Sequence, residues 1–414
     1  MANMHDIFKK VKKASRKMAS VGADERCFAL GKIALYLDKE REAVKEANAK
    51  DIALAADNGL SSAMIDRLRI TDKEIDAMIK AVNEIKGQEE VVGAVVGGSV
   101  RPNGLKIKQI RVPLGVVGII YESRPNVTID SAALCIKSGN AVILRGGKEA
   151  LRSNSVLASI VRHSLEDSGI PKDAVYFVSD TDRACIAEMA SAKGYVDMII
   201  PRGGSGLINY VLANAKVPVV MHDKGVCHTF IDSSASKDMA MEITFNAKVQ
   251  RSSACNAMET LLVHKDIAPQ ILPDMSSMLK DAGVELRCDE EAIKYMEAAP
   301  AVNDDWGREF HDMILAVKVV NNIDEALEHI AEYGSGHSEA IVTENYTNAQ
   351  KFLDEVDASA VYVNASTRFI DGGQFGLGAE IGISTQKLHV RGPMGAKDLT
   401  TTKYIIYGSG QLRK

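Results

Sequence analysis

Residues 115–148 read GVVGIIYESRPNVTIDSAALCIKSGNAVILRGGK. Gly115–Tyr121 is an apolar run of β-formers, Ile129–Lys137 has helical spacing, and Ala141–Leu144 is apolar again before Arg145-Gly-Gly-Lys148 turns the chain. Strand, helix and strand in so short a span make a unit whose two strands run parallel, because the helix carries the chain back over the sheet. Near-continuous Val and Ile means strands buried on both faces.

Working outward, the alternation continues. Strand-like runs follow at Ala174–Val178, Val196–Ile200 and Val217–Met221, with helix-like runs at Glu149–Asp167, Asp182–Ala192 and Gly206–Ala213. This predicts a doubly wound parallel sheet, whose ligands bind at the carboxyl ends of the strands. Two loops there invite a nucleotide: Arg145-Gly-Gly-Lys148, and Arg202-Gly-Gly-Ser-Gly206 opening a helix. Glycine lets backbone N–H groups approach phosphate at a helix N-terminus, although the GxGxxG spacing is absent. Ordinary strand–helix turns would read the same way.

Before this unit the chain is helical. Asp24–Asp57 holds no proline and a single glycine, with Cys27, Leu30, Ala34, Leu37 and Val44 on one stripe. Thr71-Asp-Lys-Glu74 has the spacing of a capping box, with Gly87 as a stop. Val95–Val112 reads as a hairpin with an Asn-Gly turn and alternating Ile and Lys. Asp398–Tyr407 reads as one more exposed strand. Hairpin and strand leave edges for a second subunit to cover, which predicts a homo-oligomer.

A second α/β unit follows Gly225. Strand-like Cys227–Asp232, Thr260–His264, Val284–Arg287, Ile314–Val319 and Ala340–Thr343 alternate with helix-like Asp238–Val249, Ile267–Asp281, Ile323–Ala331 and Asn348–Val356. Between the first helix and its strand lies Gln250–His264, QRSSACNAMETLLVH. Cys255 at this junction, near basic Lys248 and Arg251, is where a partly exposed thiolate is favoured and a nucleophile can act. A small buried apolar filler is the other reading of a free cysteine. From these residues alone both stand.

Composition narrows the classes. The chain has 414 residues, 46% apolar and 25% charged, with net charge −5, so two or more lobes are expected and neither nucleic acid nor an anionic membrane is a natural partner. Its six cysteines form no CxxC pair, which offers no zinc spacing and reads as reduced thiols; no metal is expected. The opening MANMHDIFKKVKKASRK lacks the apolar core of a signal peptide, and the expected compartment is the cytoplasm.

Three stretches carry a family resemblance: residues 114–129, LGVVGIIYESRPNVTI; residues 320–341, VNNIDEALEHIAEYGSGHSEAI; and residues 361–395, VYVNASTRFIDGGQFGLGAEIGISTQKLHVRGPMG. With the two-lobed α/β pattern and a central cysteine, the chain resembles the aldehyde dehydrogenase superfamily over nearly its whole length. The likeness is strongest to the branch that reduces L-glutamyl 5-phosphate with NADPH in proline biosynthesis. It implies a dinucleotide-binding domain of residues 1–93 and 113–224, a catalytic domain of 225–397, and an oligomerisation element of 94–112 and 398–414.

The resemblance also implies residue roles. Cys255 falls on the family's nucleophile, attacking the acyl carbon, expelling phosphate and forming a thioester that hydride reduces to the semialdehyde. The Cys255 N–H and a polar group in the Ser123–Asn126 segment, Ser123 or Asn126, would hold the carbonyl oxygen; Ser123 stands where most relatives have asparagine. Arg145 falls near a lysine that touches the adenosine ribose, and Lys148 where many NAD-using relatives carry an acid, which suits a 2′-phosphate. Gly203, Gly204 and Ser205 would face the pyrophosphate, and Glu309 the nicotinamide ribose. Arg124, Arg251, Ser366, Thr367 and Arg368 are candidates for the substrate's carboxylate and phosphate. His222 stands where hydrolytic relatives keep a water-activating glutamate, so a base for hydrolysis is missing. Coupling to the kinase that makes the acyl phosphate is a further expectation. His337-Ser-Glu339 reads as a signature turn, since adjacent residues cannot form a catalytic triad.

Overall fold

The computed structural model describes residues 3–221 and 224–413, without the side chains at 62 and 63. The chain divides into two compact units, one of Met1–Met221, Gly376–Gly382 and Pro393–Lys414, the other of His222–Phe375 and Ile383–Gly392.

In the first unit a four-stranded sheet runs in the order Val175–Phe177, Ala141–Gly146, Val116–Tyr121, Met198–Arg202. All its pairings are parallel. Val116–Tyr121 and Ala141–Gly146 are buried at every position, which is why they read as unbroken apolar runs. A Cβ on Gly118 would press on the end of the Ile199 side chain in the neighbouring strand. The expected strand Val217–Met221 shrinks to one bridge, Val219 to Ile199. Pro218 has no N–H to extend that ladder.

Helices Asn126–Lys137, Leu151–Asp167, Ala184–Ser191 and Ser205–Asn214 accompany this sheet, with five more N-terminal to it. The run expected from Asp24 to Asp57 breaks at Glu40 into Ala23–Lys39 and Arg41–Asp57. No glycine or proline marks the break. The second of these helices delivers Asp51, which accepts from the N–H and hydroxyl of Ser153, both at 2.8 Å, and so caps helix Leu151–Asp167. The Thr71 capping box forms as read, Thr71 N–H donating to Glu74 at 2.9 Å.

The hairpin strands Val95–Val100 and Lys106–Pro113 pair antiparallel, with Gly104 at φ +87° in their turn. Thr400–Tyr407 pairs with Lys106–Pro113 along its whole length, giving a three-stranded sheet. Residues 376–382 and 393–397, expected with the catalytic domain, group with the first unit instead. Their mutual backbone hydrogen bonds explain this: Ile381 N–H to Met394 O at 3.1 Å and Met394 N–H to Gly382 O at 2.8 Å.

The second unit is built on seven parallel strands in the order Ala299–Pro300, Glu285–Cys288, Ile314–Val320, Met258–His264, Cys227–Ile231, Ser338–Val342, Ala360–Val363. Successive residues of the central strand feed opposite cores. Leu261 and Val263 pack with Ile271, Met275 and Leu279, whereas Leu262 packs with Phe230, Ile330 and Phe352. The short edge strand Ala360–Val363 was not expected; it leads straight into the segment 366–370 that meets Cys255. Among the described residues, no helix is long and apolar enough to cross a membrane.

Candidate active site

Helix Lys237–Val249 ends, the chain turns through Gln250–Ala257, and strand Met258–His264 begins, so Cys255 sits at a helix–strand junction, partly exposed. The turn is held from below. The Cys227 thiol donates to the Cys255 carbonyl at 3.3 Å. A Cβ on Gly225 would collide with that same carbonyl oxygen and would come within 2.7 Å of Glu309 Oε1. The glycine is therefore what lets this strand pass under the cysteine.

The turn is also held from one side. The buried Thr367 hydroxyl donates to the carbonyl of Asn256 at 2.7 Å. Asn256 returns its amide to the carbonyls of Arg368, at 3.2 Å, and Ile370, at 2.9 Å. Ser366 caps the short helix Thr367–Phe369 by accepting from Arg368 N–H at 3.3 Å. The two hydroxyls predicted for substrate are thus engaged in shaping the turn. Arg368 donates from Nε to Gln250 at 3.0 Å. Burial pulls its pKa down, opposed by the Cys255 thiolate and Asp371 and reinforced by Arg251.

Lys248, expected beside the thiolate, has an acidic partner of its own. Its ammonium is buried on Glu259 at 2.6 Å. Burial moves both partners toward their neutral forms, with Glu259 pushed up to about 7. The second oxygen of Glu259 accepts from His311 N–H at 3.1 Å, one residue beyond Phe310. Glu309 Oε2 lies 3.2 Å from His311 Nε2, and its Oε1 is buried with no hydrogen-bond partner.

His337-Ser-Glu339 is not a turn. Ser338 and Glu339 belong to strand Ser338–Val342, and Glu339 accepts from both the backbone and Nδ1 of His228 on the neighbouring strand, at 2.9 Å each. His337 Nδ1 lies 2.9 Å from Ser338 Oγ and 3.8 Å from the Cys227 sulfur. Burial drives the Cys227 thiol well above its ordinary range, which keeps it a neutral donor. Sequence reasoning missed Gly225, Cys227, Asn256 and the His228–Glu339 pair. Only the glycine had a local signal, as a small residue ahead of a strand.

The first unit carries the other predicted residues. Beyond the strand ends lie Glu122-Ser123-Arg124 and Gly203-Gly204, the latter opening helix Ser205–Asn214. Gly204 N–H donates to Glu122 Oε2 at 3.1 Å, a carboxylate at a helix N-terminus where an anion is favoured. A Cβ on Gly204 would meet nothing within 4 Å, so a ligand has room there. Ser123, at φ +49°, gives its N–H and hydroxyl to Glu149 at 2.7 and 3.0 Å. Asn126 donates to Asp130 at 2.9 Å. Arg145 is buried, bonded through Nη2 to Thr181 O at 2.8 Å, and its Nε has no partner. Lys148 is exposed at the start of the turn Lys148–Ala150, and Arg124 is exposed. His222 lies outside the described residues. Among the described residues no cluster of His, Cys, Asp and Glu is arranged to hold a metal.

A sequence profile of the aldehyde dehydrogenase family matches residues 1–314. The chain belongs to that family and is an oxidoreductase of nicotinamide-dependent type. Its near relatives are narrower in kind. The γ-glutamyl phosphate reductase of Carboxydothermus hydrogenoformans is 53% identical over the full length of both chains. That of Halothermothrix orenii is 52% identical, covering 98% of this chain and 97% of its own. The crystal structure of γ-glutamyl phosphate reductase from Thermotoga maritima superposes with a TM-score of 0.97 at 47% identity, covering all of both chains. Within the family, this chain is similar throughout to these reductases.

Proposed function

We propose that this chain reduces L-glutamyl 5-phosphate to L-glutamate 5-semialdehyde and phosphate through a thioester on Cys255, with NADPH as reductant. The observation that carries the reading is the partly exposed Cys255 on a turn fixed by Cys227 and Thr367, beside Arg368. The Cys255 sulfur attacks the acyl carbon, and the carbon–oxygen bond to phosphate breaks with its electron pair leaving on phosphate. Bound NADPH supplies a hydride to the acyl carbon. The thiohemiacetal on Cys255 then collapses to aldehyde and thiolate. Oxygen charge in both steps falls to the Cys255 N–H, with Ser123 and Asn126 as the candidate side-chain donors, each of which would have to leave its present partner, Glu149 or Asp130.

Arg251, Arg368 and Arg124 recognise the carboxylate and phosphate of the substrate, with Ser366 and Thr367 supporting them. The cofactor fits the residues present. Gly203, Gly204 and Ser205 line the place for the pyrophosphate, where Gly204 N–H, held by Glu122, would pass to the phosphate, while Lys148 offers an exposed cation for a 2′-phosphate and Arg145 a buried support for its loop. Glu309 holds ribose hydroxyls with the oxygen that lacks a partner. The three-stranded sheet, with Val95, Val100, Tyr404 and Ile406 exposed, is our assignment for self-association. The enzyme works in the cytoplasm, supplied by the kinase that makes the acyl phosphate.

Reduction of NADP+ with glutamate 5-semialdehyde and phosphate tests the reading. Cys255→Ser should fold like the parent and lose turnover by about a thousandfold or more. Inactivation by a thiol reagent that leaves Cys255 unmodified would overturn it.

A further inference from the structure

Phe310 lies among three cations of the second unit, with Arg287 at 5.2 Å, Arg308 at 5.7 Å and Lys248 at 6.0 Å from its ring centre. Two of them are anchored. Lys248 is buried on Glu259 at 2.6 Å, and Arg287 is held by Asp305 at 2.7 Å and Glu285 at 2.8 Å. An aromatic face attracts cations through its quadrupole, so a ring flanked in this way has a defined resting place. On the far side of Phe310 the backbone is fixed as well. His311 adopts φ +55°, and its N–H donates to the free oxygen of the Lys248–Glu259 pair at 3.1 Å. On the near side is Glu309, whose Oε1 is buried without a partner next to Gly225.

We infer that Phe310, clamped by Lys248, Arg287 and Arg308 and backed by Glu259, is a positioning residue that aims the Glu309 carboxylate at the cofactor. The inference rests on the reading of Glu309 as a contact to the nicotinamide ribose. The segment is fixed on both sides of the ring: Glu259 accepts from His311 N–H at 3.1 Å, and Phe310 itself lies among Arg287, Arg308 and Lys248. Neither Lys248 nor Phe310 touches substrate in this scheme; their effect passes through Glu309.

The test is a double-mutant cycle on steady-state kinetics with NADPH. Glu309→Gln should raise the KM for NADPH about tenfold, and Phe310→Leu should do the same with thermal stability little changed, whereas Phe310→Tyr, which keeps the aromatic face, should behave as wild type. The double variant Phe310→Leu/Glu309→Gln should be no worse than either single change, because both remove one function. Arg308→Gln, which removes one cation of the clamp at an exposed position, is the check for a case in which Phe310→Leu does not fold. It should raise the same KM without adding to Glu309→Gln. If Glu309→Gln leaves the KM unchanged, the reading of Glu309 fails. If Glu309→Gln raises it but Phe310→Leu and Arg308→Gln do not, or if the effects multiply, the positioning role is overturned while that reading stands.

Discussion

The buried thiol of Cys227 donates to the main-chain carbonyl of Cys255 at 3.3 Å, so one cysteine supports the peptide that carries the other. Cys227→Ala removes the donor and leaves a small void beneath the turn. We expect a loss of about 1 kcal/mol in unfolding free energy, from the hydrogen bond and the void together. Alkylation of Cys255 by iodoacetamide should slow or accelerate by several-fold as the turn loosens. A variant that melts and alkylates like the parent would show that the thiol only fills space.

Gly225→Ala is a harsher change at the same place. A methyl there is driven into the Cys255 carbonyl and toward Glu309 Oε1. The turn must shift or the strand must, and either displaces Cys255, the proposed nucleophile. Activity should fall by about a hundredfold or more, since misplacement on the scale of an ångström costs that much. Near-normal kcat in a folded Gly225→Ala protein would contradict the packing described here.

Lys148 is exposed at the turn that follows Arg145-Gly-Gly. Lys148→Glu puts a negative charge where a 2′-phosphate is proposed to bind. The KM for NADPH should rise about tenfold or more while that for NADH changes by less than about twofold. Equal changes for both cofactors would move the discriminating cation elsewhere.

Much of this arrangement was legible before the coordinates, and the division is physical. Continuous apolar runs such as Val116–Tyr121 announce strands buried on both faces, and the junction of Cys255 is visible because helix and strand periodicities meet there. Partnerships across the sequence leave no such trace. Thr367 finds Asn256 from 111 positions away, and His228 finds Glu339 across the same interval. The pairing of Lys248 with Glu259, eleven residues on and across the Cys255 turn, likewise has no local mark. The strand expected at Val217–Met221 is reduced at Pro218, which has no N–H for the ladder, and the helix expected through Glu40 is interrupted there without a local signal.

His329 predicts an acid sensitivity with a definite sign. It is buried beside Trp306 and His228, with Lys318 Nζ 3.4 Å from its Nδ1. Burial, then the charges of His228 and Lys318, hold its pKa down from 6.5 to about 2. The unfolded chain therefore takes up the proton first, so stability from this group is intact above the unfolded value of 6.5. It is lost as pH falls below that value, at about 1.4 kcal/mol per pH unit. Denaturant unfolding of wild type and His329→Phe at pH 7.5 and pH 5.5 should show the wild type losing about 1 kcal/mol more than the variant. A pH-independent difference would mean that His329 becomes charged in the folded protein.

The proposed chemistry also predicts what the enzyme cannot do. In that proposal Cys255 forms the acyl intermediate from either direction, and the family resemblance implies that His222 stands where hydrolytic relatives keep a glutamate. Without a base to activate water, the thioester should wait for phosphate, whose own oxygen is the attacking group. Glutamate 5-semialdehyde plus NADP+ in phosphate-free buffer should therefore give about one enzyme equivalent of NADPH and then stop, since general-base catalysis is worth about 10²–10⁴-fold. Adding phosphate should restore steady turnover, and arsenate, an oxyanion of the same shape and charge, should substitute. The burst should vanish in Cys255→Ser, which ties it to the covalent step rather than to slow product release. Sustained phosphate-free formation of glutamate would mean that some base activates water after all; His222→Asn would then separate that histidine from any other group, by stopping the hydrolysis if His222 is the base.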